Sequence, residues 1–188
     1  KKQIKTEIAE GRYIRTEKKP HLISALGAIP KPDGGIRLIH DASRPAGKAL
    51  NDYATQKWKV KYQTVNAALP YIQGGDYLAK VDLKSAYRSV GIHPSQTKHT
   101  GLKWQFTGDK DYTYFYDSAL PFGAHLSAGI FNRLTQAVTR MMKRRGYLVF
   151  SYLDDFLLVT RNKAECLAGL NALIRLLRSI GFSIAWNK

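Results

Sequence analysis

Val149-Phe150-Ser151-Tyr152-Leu153-Asp154-Asp155-Phe156-Leu157-Leu158-Val159 is the stretch on which the reading of this chain turns. Two apolar, β-rich runs flank two adjacent carboxylates, the pattern of a hairpin with its acids at the tight turn. Neighbouring aspartates repel, and a turn can be polar without pairing them. A divalent cation offsets that repulsion. The plainer account is that Asp is simply a good turn residue, so the surrounding sequence has to decide.

Downstream, Asn162 with Glu165 three residues later is a capping-box-like start. The helix it opens carries Leu167, Leu170, Ile174 and Leu177 and stops at Gly181. Residues 182–186 read as a last strand. Upstream, a helix is expected over about 127–145. Phe131, Leu134, Val138 and Met141 or Met142 share one face, with Arg133, Gln136, Arg140, Lys143 and Arg144 away from it. Before it come a loop at 120–123 and a hairpin of 103–106 with 112–116. Ser85-Ala86-Tyr87 begins a short helical turn, and 77–82 reads as a buried strand ending on Asp82. Thr64 caps a short helix to about Gln73, ended by Gly74-Gly75. Segment 42–62 is loop-like, 22–41 is another hairpin turning at Pro32-Asp33-Gly34-Gly35, and residues 1–20 are basic and weakly patterned.

From residue 77 the order is β-α-β-β-α-β, that of the split βαβ sandwich. There the first and third strands are adjacent and antiparallel. The end of the first strand, at Asp82, then lies beside the turn holding Asp154 and Asp155, 72 residues beyond it. Three carboxylates in one place suit two Mg²⁺ ions, hard cations that want oxygen ligands. Such a pair, about 4 Å apart, serves in-line phosphoryl chemistry.

The chain has 188 residues, 44% of them hydrophobic, enough for one domain or a domain plus a lobe. Its formal charge of +16, from 30 Lys+Arg against 14 Asp+Glu, suits a polyanion, nucleic acid above all. A single cysteine, Cys166, excludes an internal disulfide framework and fits a reducing, intracellular compartment, cytoplasm or nucleus. No apolar run reaches membrane-spanning length, so no membrane partner is expected. Neither an initiator Met nor a signal-peptide core stands at the start, and both ends look cut from something longer. The five histidines, 21, 40, 93, 99 and 125, show no zinc spacing with Cys166. Trp58, Trp104 and Trp186 read as core or sheet-face aromatics.

Five boxes in order resemble a reverse transcriptase over roughly 22–188. Tyr152-Leu153-Asp154-Asp155 resembles the YxDD box. Val81-Asp82-Leu83-Lys84-Ser85-Ala86-Tyr87 resembles the first catalytic motif, and Leu120-Pro121-Phe122-Gly123 with Ser127 and Phe131 the second. Ala28-Ile29-Pro30-Lys31-Pro32-Asp33 with Arg37 and Asp41 resembles the fingers motif, and Gly181-Phe182 with Asn187-Lys188 the motif after the YxDD hairpin. Asp41-Ala42-Ser43-Arg44-Pro45 looks closest to retrotransposon enzymes of the tyrosine-recombinase (DIRS-like) group. The resemblance implies an α+β fold: a polymerase palm with a split βαβ (ferredoxin-like) antiparallel sheet, plus a fingers lobe. The expected divisions are a basic arm at 1–21, fingers at 22–76 and palm at 77–188, with the 99–119 hairpin contributing to the fingers. No primer grip, thumb or RNase H region of a parent polyprotein is visible, so grip on a duplex should be poor.

By resemblance, Asp82 and Asp154 hold both Mg²⁺ ions (Mn²⁺ being an alternative), helped by the Leu83 carbonyl, with Asp155 coordinating less directly. Lys31 and Arg37 grip the triphosphate of an incoming dNTP, as a point charge and a planar fork suit phosphate. The backbone amides of Ser85 and Ala86 cradle phosphates. Tyr87 stacks under the sugar and excludes a 2′-hydroxyl. Phe122 and Gly123 line the nucleotide pocket, Tyr152 and Leu153 touch template or primer, and Lys188 is the candidate acid for pyrophosphate. The implied activity is RNA-directed DNA synthesis on an RNA or DNA template with a primer. Two departures stand out: Ala128 where proline is common, and Phe122 where many retroviral enzymes have glutamine. The competing class is a non-catalytic nucleic-acid-binding scaffold, a polymerase relic or an RRM-like sheet. An RRM should show paired stacking aromatics on its first and third strands, and acids stand near that edge instead. An RNA-dependent RNA polymerase usually has Gly before its paired acids and a smaller, polar residue where Tyr87 stands.

Overall fold

The computed structural model describes residues 1–30, 34–54 and 60–186. In chain order its elements are α1 (Lys2–Ala9), β1 (Tyr13–Thr16), β2 (Ile23–Pro30), β3 (Ile36–Asp41), α2 (Val65–Ala68), β4 (Tyr77–Lys84), β5 (Gly101–Trp104), β6 (Thr113–Asp117), α3 (Ser127–Arg144), β7 (Leu148–Tyr152), β8 (Asp155–Thr160), α4 (Lys163–Ser179) and β9 (Ser183–Ile184). They fall into two compact units, Lys1–Trp58 with Val90–Ser127 and Lys59–Ser89 with Ala128–Lys188. These cut the chain differently from boundaries at 21 and 76. Residues 1–21 do not form a separate arm: α1 buries Ile4, and β1 pairs with β6. Residues 60–72 join the second unit because Ala68 and Ile72 pack on its sheet.

The second unit is built around β4. Its sheet runs β7-β8-β4-β9, with β4 antiparallel to both neighbours. The β-α-β-β-α-β order is therefore realised by β4, α3, β7, β8, α4 and β9. Alternation decides what each face does. Val81 and Leu83 on β4 and Phe156 and Leu158 on β8 are all buried, and α4 packs over β8, β4 and β9. The other face carries Lys80 and Asp82 on β4, Asp155, Leu157 and Val159 on β8, and Leu148, Phe150 and Tyr152 on β7. One end of that face is covered: Ala68, Phe150 and Val159 form a cluster with Ile72, Leu148 and Leu157. The acids stand at the other end.

Helix faces depart from the sequence expectation by about one residue. In α3, Phe131, Val138 and Met142 are buried, while Leu134 and Met141 lie near 40% exposed. Thr135, fully buried, takes the position assigned to Leu134, and its hydroxyl donates back to the Asn132 carbonyl at 3.1 Å. In α4 the buried face is Cys166, Gly169, Leu173, Leu176 and Leu177; of the expected Leu167-Leu170-Ile174-Leu177 stripe, Leu177 is buried, Leu170 and Ile174 are half-buried and Leu167 is exposed. Gly169 belongs there because a Cβ would meet Tyr147 Cδ1 at 2.8 Å and Leu158 Cδ2 at 3.0 Å. The α4 cap forms as expected, the Glu165 N–H donating to Asn162 Oδ1 at 2.9 Å. The Glu165 carboxylate accepts from the Arg161 amide, one residue before the cap. The expected helix from Thr64 shrinks to α2 followed by a 3₁₀ turn over Leu69–Tyr71, with no side-chain cap bond.

The first unit is a five-stranded sheet, β1-β6-β5-β2-β3, antiparallel except for the β2–β5 pair. Both expected hairpins are present: β2 with β3, and β5 with β6 shifted toward 101–104 and 113–117. Its core is Ile4, Tyr13, Leu102 and Phe115, with Ile8, Leu26, Leu38, Trp104 and Phe106 against it. The parallel contact needs Gly101, where a Cβ would lie 2.2 Å from the Leu22 carbonyl oxygen. Buried Glu7 is matched by Arg12 Nε at 2.6 Å and Gln3 Nε2 at 2.8 Å. Trp104 thus reads correctly as a core-side aromatic. Trp186 does not: it is 64% exposed, with the Arg178 guanidinium 5.4 Å from its ring. Trp58 lies outside the described residues.

Candidate active site

The β4–β8 register puts Asp82 directly opposite Asp155, and the Leu83 amide donates to the Asp154 carbonyl at 3.0 Å. Facing residues of an antiparallel pair have Cβ atoms about 5 Å apart. Acids far apart in sequence thus meet at one strand end and one turn, as the topology requires. Asp82 is buried, 8% exposed, while Asp154 and Asp155 are half-buried. Lys80, two residues before Asp82 on the same face, places its Nζ 3.0 Å from Asp155 Oδ1. It is an exposed pair, so its contribution to stability is small, but it engages one oxygen of the outer acid.

The turn itself is strained. Tyr152 pairs with Asp155, leaving Leu153 and Asp154 as the two central residues, and Leu153 has φ +51°. Ser85, three residues after Asp82, has φ +53°. Among the described residues these are the non-glycine positions in the left-handed region, a conformation that costs an L-residue about 1–2 kcal/mol. Such strain collects at functional sites. Here it brackets the acids on both strands.

Tyr87 sits in the 3₁₀ turn Ala86–Ser89 that follows, its ring edge-on to Phe131 at 5.0 Å. Burial pushes its phenol pKa up to about 12, and the Tyr62, Asp154 and Tyr152 charges add to the shift. Tyr87 is therefore a neutral hydroxyl at any working pH, in the neighbourhood of Asp154. Tyr152, 48% exposed, lies against Tyr62 with ring centroids 5.6 Å apart.

Arg37, Phe122 and Gly123 belong to the first unit. The Arg37 guanidinium stacks over the Phe122 ring at 5.4 Å. Gly123 has φ +120°, and a Cβ there would lie 2.3 Å from the His40 carbonyl oxygen. Backbone packing alone therefore requires glycine at this place. Asn51, which local sequence gave no reason to single out, holds the loop: its Nδ2 donates to the Gly123 carbonyl at 3.0 Å and Ser43 Oγ at 2.8 Å, and its Oδ1 accepts from the His125 amide at 2.7 Å. Lys31 and Lys188 lie outside the described residues.

The reverse transcriptase (RNA-dependent DNA polymerase) family matches residues 29–188. The chain belongs to the reverse transcriptase family. It is 26% identical over 110 residues to the genome polyprotein of Petunia vein clearing virus, isolates Shepherd and Hohn, a stretch covering 58% of this chain and 5% of those polyproteins. Among solved structures, a foamy viral protease–reverse transcriptase in complex with double-stranded DNA aligns with 95% of this chain and 28% of its own at TM-score 0.77 and 18% identity. The native prototype foamy virus protease–reverse transcriptase aligns with 98% and 22% at TM-score 0.76 and 20% identity. The chain thus spans a small part of each of these relatives. These likenesses carry the fold: the split βαβ sheet is the palm of a reverse transcriptase and the five-stranded sheet is a fingers lobe. The relatives are viral, and the DIRS-like subgroup gains no support from them.

Reverse transcriptases depend on divalent metal in general. Among the described residues, no three His, Cys, Asp or Glu side chains form a ready-made metal cage. The cluster of three carboxylates expected from the topology is therefore not shown; the strand register pairs two of them, Asp82 and Asp155. The donor chemistry fits a hard divalent cation: Asp82, buried, and Asp154 and Asp155, half-buried, offer carboxylate oxygens. Among the described residues no helix is long and apolar enough to cross a membrane.

Proposed function

We propose that the chain is the fingers–palm portion of an RNA-directed DNA polymerase that extends a primer 3′-hydroxyl with dNTPs on an RNA or DNA template. The observation that carries this is the Asp82–Asp155 register with the Leu83–Asp154 hydrogen bond, in a member of the reverse transcriptase family. In this reading Asp82 and Asp154, with the Leu83 carbonyl, hold two Mg²⁺ ions (or Mn²⁺), and Asp155 stands back, engaged by Lys80. The bound cations supply charge neutralisation at the attacking and leaving oxygens of an in-line phosphoryl transfer.

The remaining roles fall to the chain's own groups. Tyr87, braced edge-on by Phe131, supports the sugar of the incoming nucleotide and leaves no room for a 2′-hydroxyl. Arg37 donates its fork to phosphate oxygens, with Phe122 as the surface that orients it. The amides of Ser85 and Ala86 face phosphates, and Lys31 adds a point charge. Gly123, kept a glycine by the His40 carbonyl behind it, is assigned with Phe122 to the nucleotide pocket. Lys188 delivers a proton to departing pyrophosphate, and Tyr152 and Leu153 touch template or primer. The +16 charge supports a nucleic-acid partner, as does the DNA-bound foamy viral neighbour. The fingers at 22–76 and palm at 77–188, with the 99–119 hairpin contributing to the fingers, are kept as functional divisions within an intracellular enzyme.

The test is primer extension on RNA and DNA templates, with dNTPs or rNTPs, with Mg²⁺ or chelator. Metal-dependent dNTP incorporation on RNA is expected, and Tyr87→Val is expected to admit rNTPs at least about tenfold better, since a steric gate acts by exclusion. Nucleic-acid binding that survives chelator with no incorporation would favour the non-catalytic scaffold.

A further inference from the structure

The acidic hairpin ends in an edge strand, and that edge is capped from a distant segment. β7 is the outer strand of β7-β8-β4-β9. Tyr152 and Asp155 close the two-residue turn, so the adjacent Ser151 N–H points away from β8. An unpaired edge N–H buried away from water is costly, and Ser151 is 1% exposed. Its N–H donates to Gln63 Oε1 at 3.0 Å, across 88 residues of sequence. The Ser151 hydroxyl is taken by Gln136 Nε2 at 3.3 Å. Next to these, the Tyr62 ring lies on Tyr152, and Tyr71 lies 5.7 Å from Phe150. Segment 60–72 therefore runs along β7 and ends its contacts one residue short of the strained turn. The groups whose charges act on Tyr87, namely Tyr62, Asp154 and Tyr152, put this brace and the turn in one neighbourhood.

We propose that Gln63 is a positioning residue for the reaction: by accepting the outward N–H of Ser151 it holds β7 in place and keeps the Asp154 turn in register with Asp82. Tyr62 supports the same strand through Tyr152. Gln63 touches neither substrate nor metal. Its effect passes through the backbone of Ser151 to a turn where small displacements matter, since about 1 Å of misplacement costs on the order of a hundredfold in rate. This rests on the reading of Asp154 as a carboxylate of the polymerase centre.

The experiment compares Gln63→Met, which keeps the length and loses the acceptor, with Gln63→Glu, which keeps an acceptor oxygen. Both are made in the enzyme carrying this chain, beside wild type and Asp154→Asn. Three quantities are read: single-nucleotide incorporation with kcat and KM separated, thermal stability, and hydrogen exchange of the Ser151 amide. Gln63→Met is expected to lower kcat about tenfold or more with KM for dNTP little changed, and to speed Ser151 exchange by a similar factor. Gln63→Glu is expected to restore most of both. Unchanged kcat and unchanged Ser151 exchange in Gln63→Met would overturn the role. Loss of activity together with melting temperature that Gln63→Glu does not restore would overturn it too, since the defect would then belong to folding. If wild type is inactive, or Asp154→Asn stays active, it is the polymerase reading that fails, and Ser151 exchange still reports on the brace.

Discussion

Leu153 carries the clearest single-residue signature of the site. Its φ of +51° puts a branched-chain residue in a conformation suited to glycine, between Tyr152 and the turn acid. Leu153→Gly is expected to be neutral or to stabilise by up to about 1 kcal/mol, because the strain relieved exceeds the added chain entropy only slightly. Leu153→Val, with β-branching at positive φ, is expected to destabilise by about 1–2 kcal/mol. Denaturant melts of the two variants check this, and equal stabilities would remove strain as a feature of the turn. Asp82, Asp154 and Asp155 could be picked out in the sequence because acids inside apolar strand runs break a simple pattern. Lys80, Asn51 and Gln63 could not. Each looks like an ordinary surface residue locally, and each acquires meaning only from partners brought to it by the fold.

Among the elements, the loop 120–125 shows most directly how packing fixes a backbone path. The Gly123 backbone presses on the His40 carbonyl of β3, and Asn51 ties the loop on both sides. Gly123→Ala is expected to cost about 3 kcal/mol or more, since a Cβ has no space and φ +120° disfavours it. A chemical-denaturation midpoint unchanged from wild type would contradict that close approach. The strands after β1 and both long helices were legible in the sequence, because alternation and helical spacing survive wherever one face is buried. Helix faces were less so. Thr135 reads as polar yet sits in the core by bonding back to its own helix, and Gly169 reads as a break yet marks where α4 meets β8. The N-terminal segment was illegible for another reason: α1 is short and basic, and β1 exists only through its pairing with β6.

For the molecule as a whole, a split βαβ sheet turns sequence order into spatial coincidence. The first strand ends where the later hairpin turns, so Asp82 and Asp155, 73 residues apart, face one another without any local signal linking them. The order of elements alone was enough to foresee this, and it is what joins the Asp82 motif to the Asp154-Asp155 hairpin. The net charge of +16 suits a polyanionic partner at longer range. The most direct measurement is single-nucleotide incorporation, with Mg²⁺ and saturating primer–template, by the wild-type enzyme and by Asp82→Asn and Asp154→Asn variants of matched stability. Each substitution alone is expected to reduce the rate by at least about a thousandfold, as removal of a group central to the chemistry does. Either variant incorporating at the wild-type rate would contradict the account.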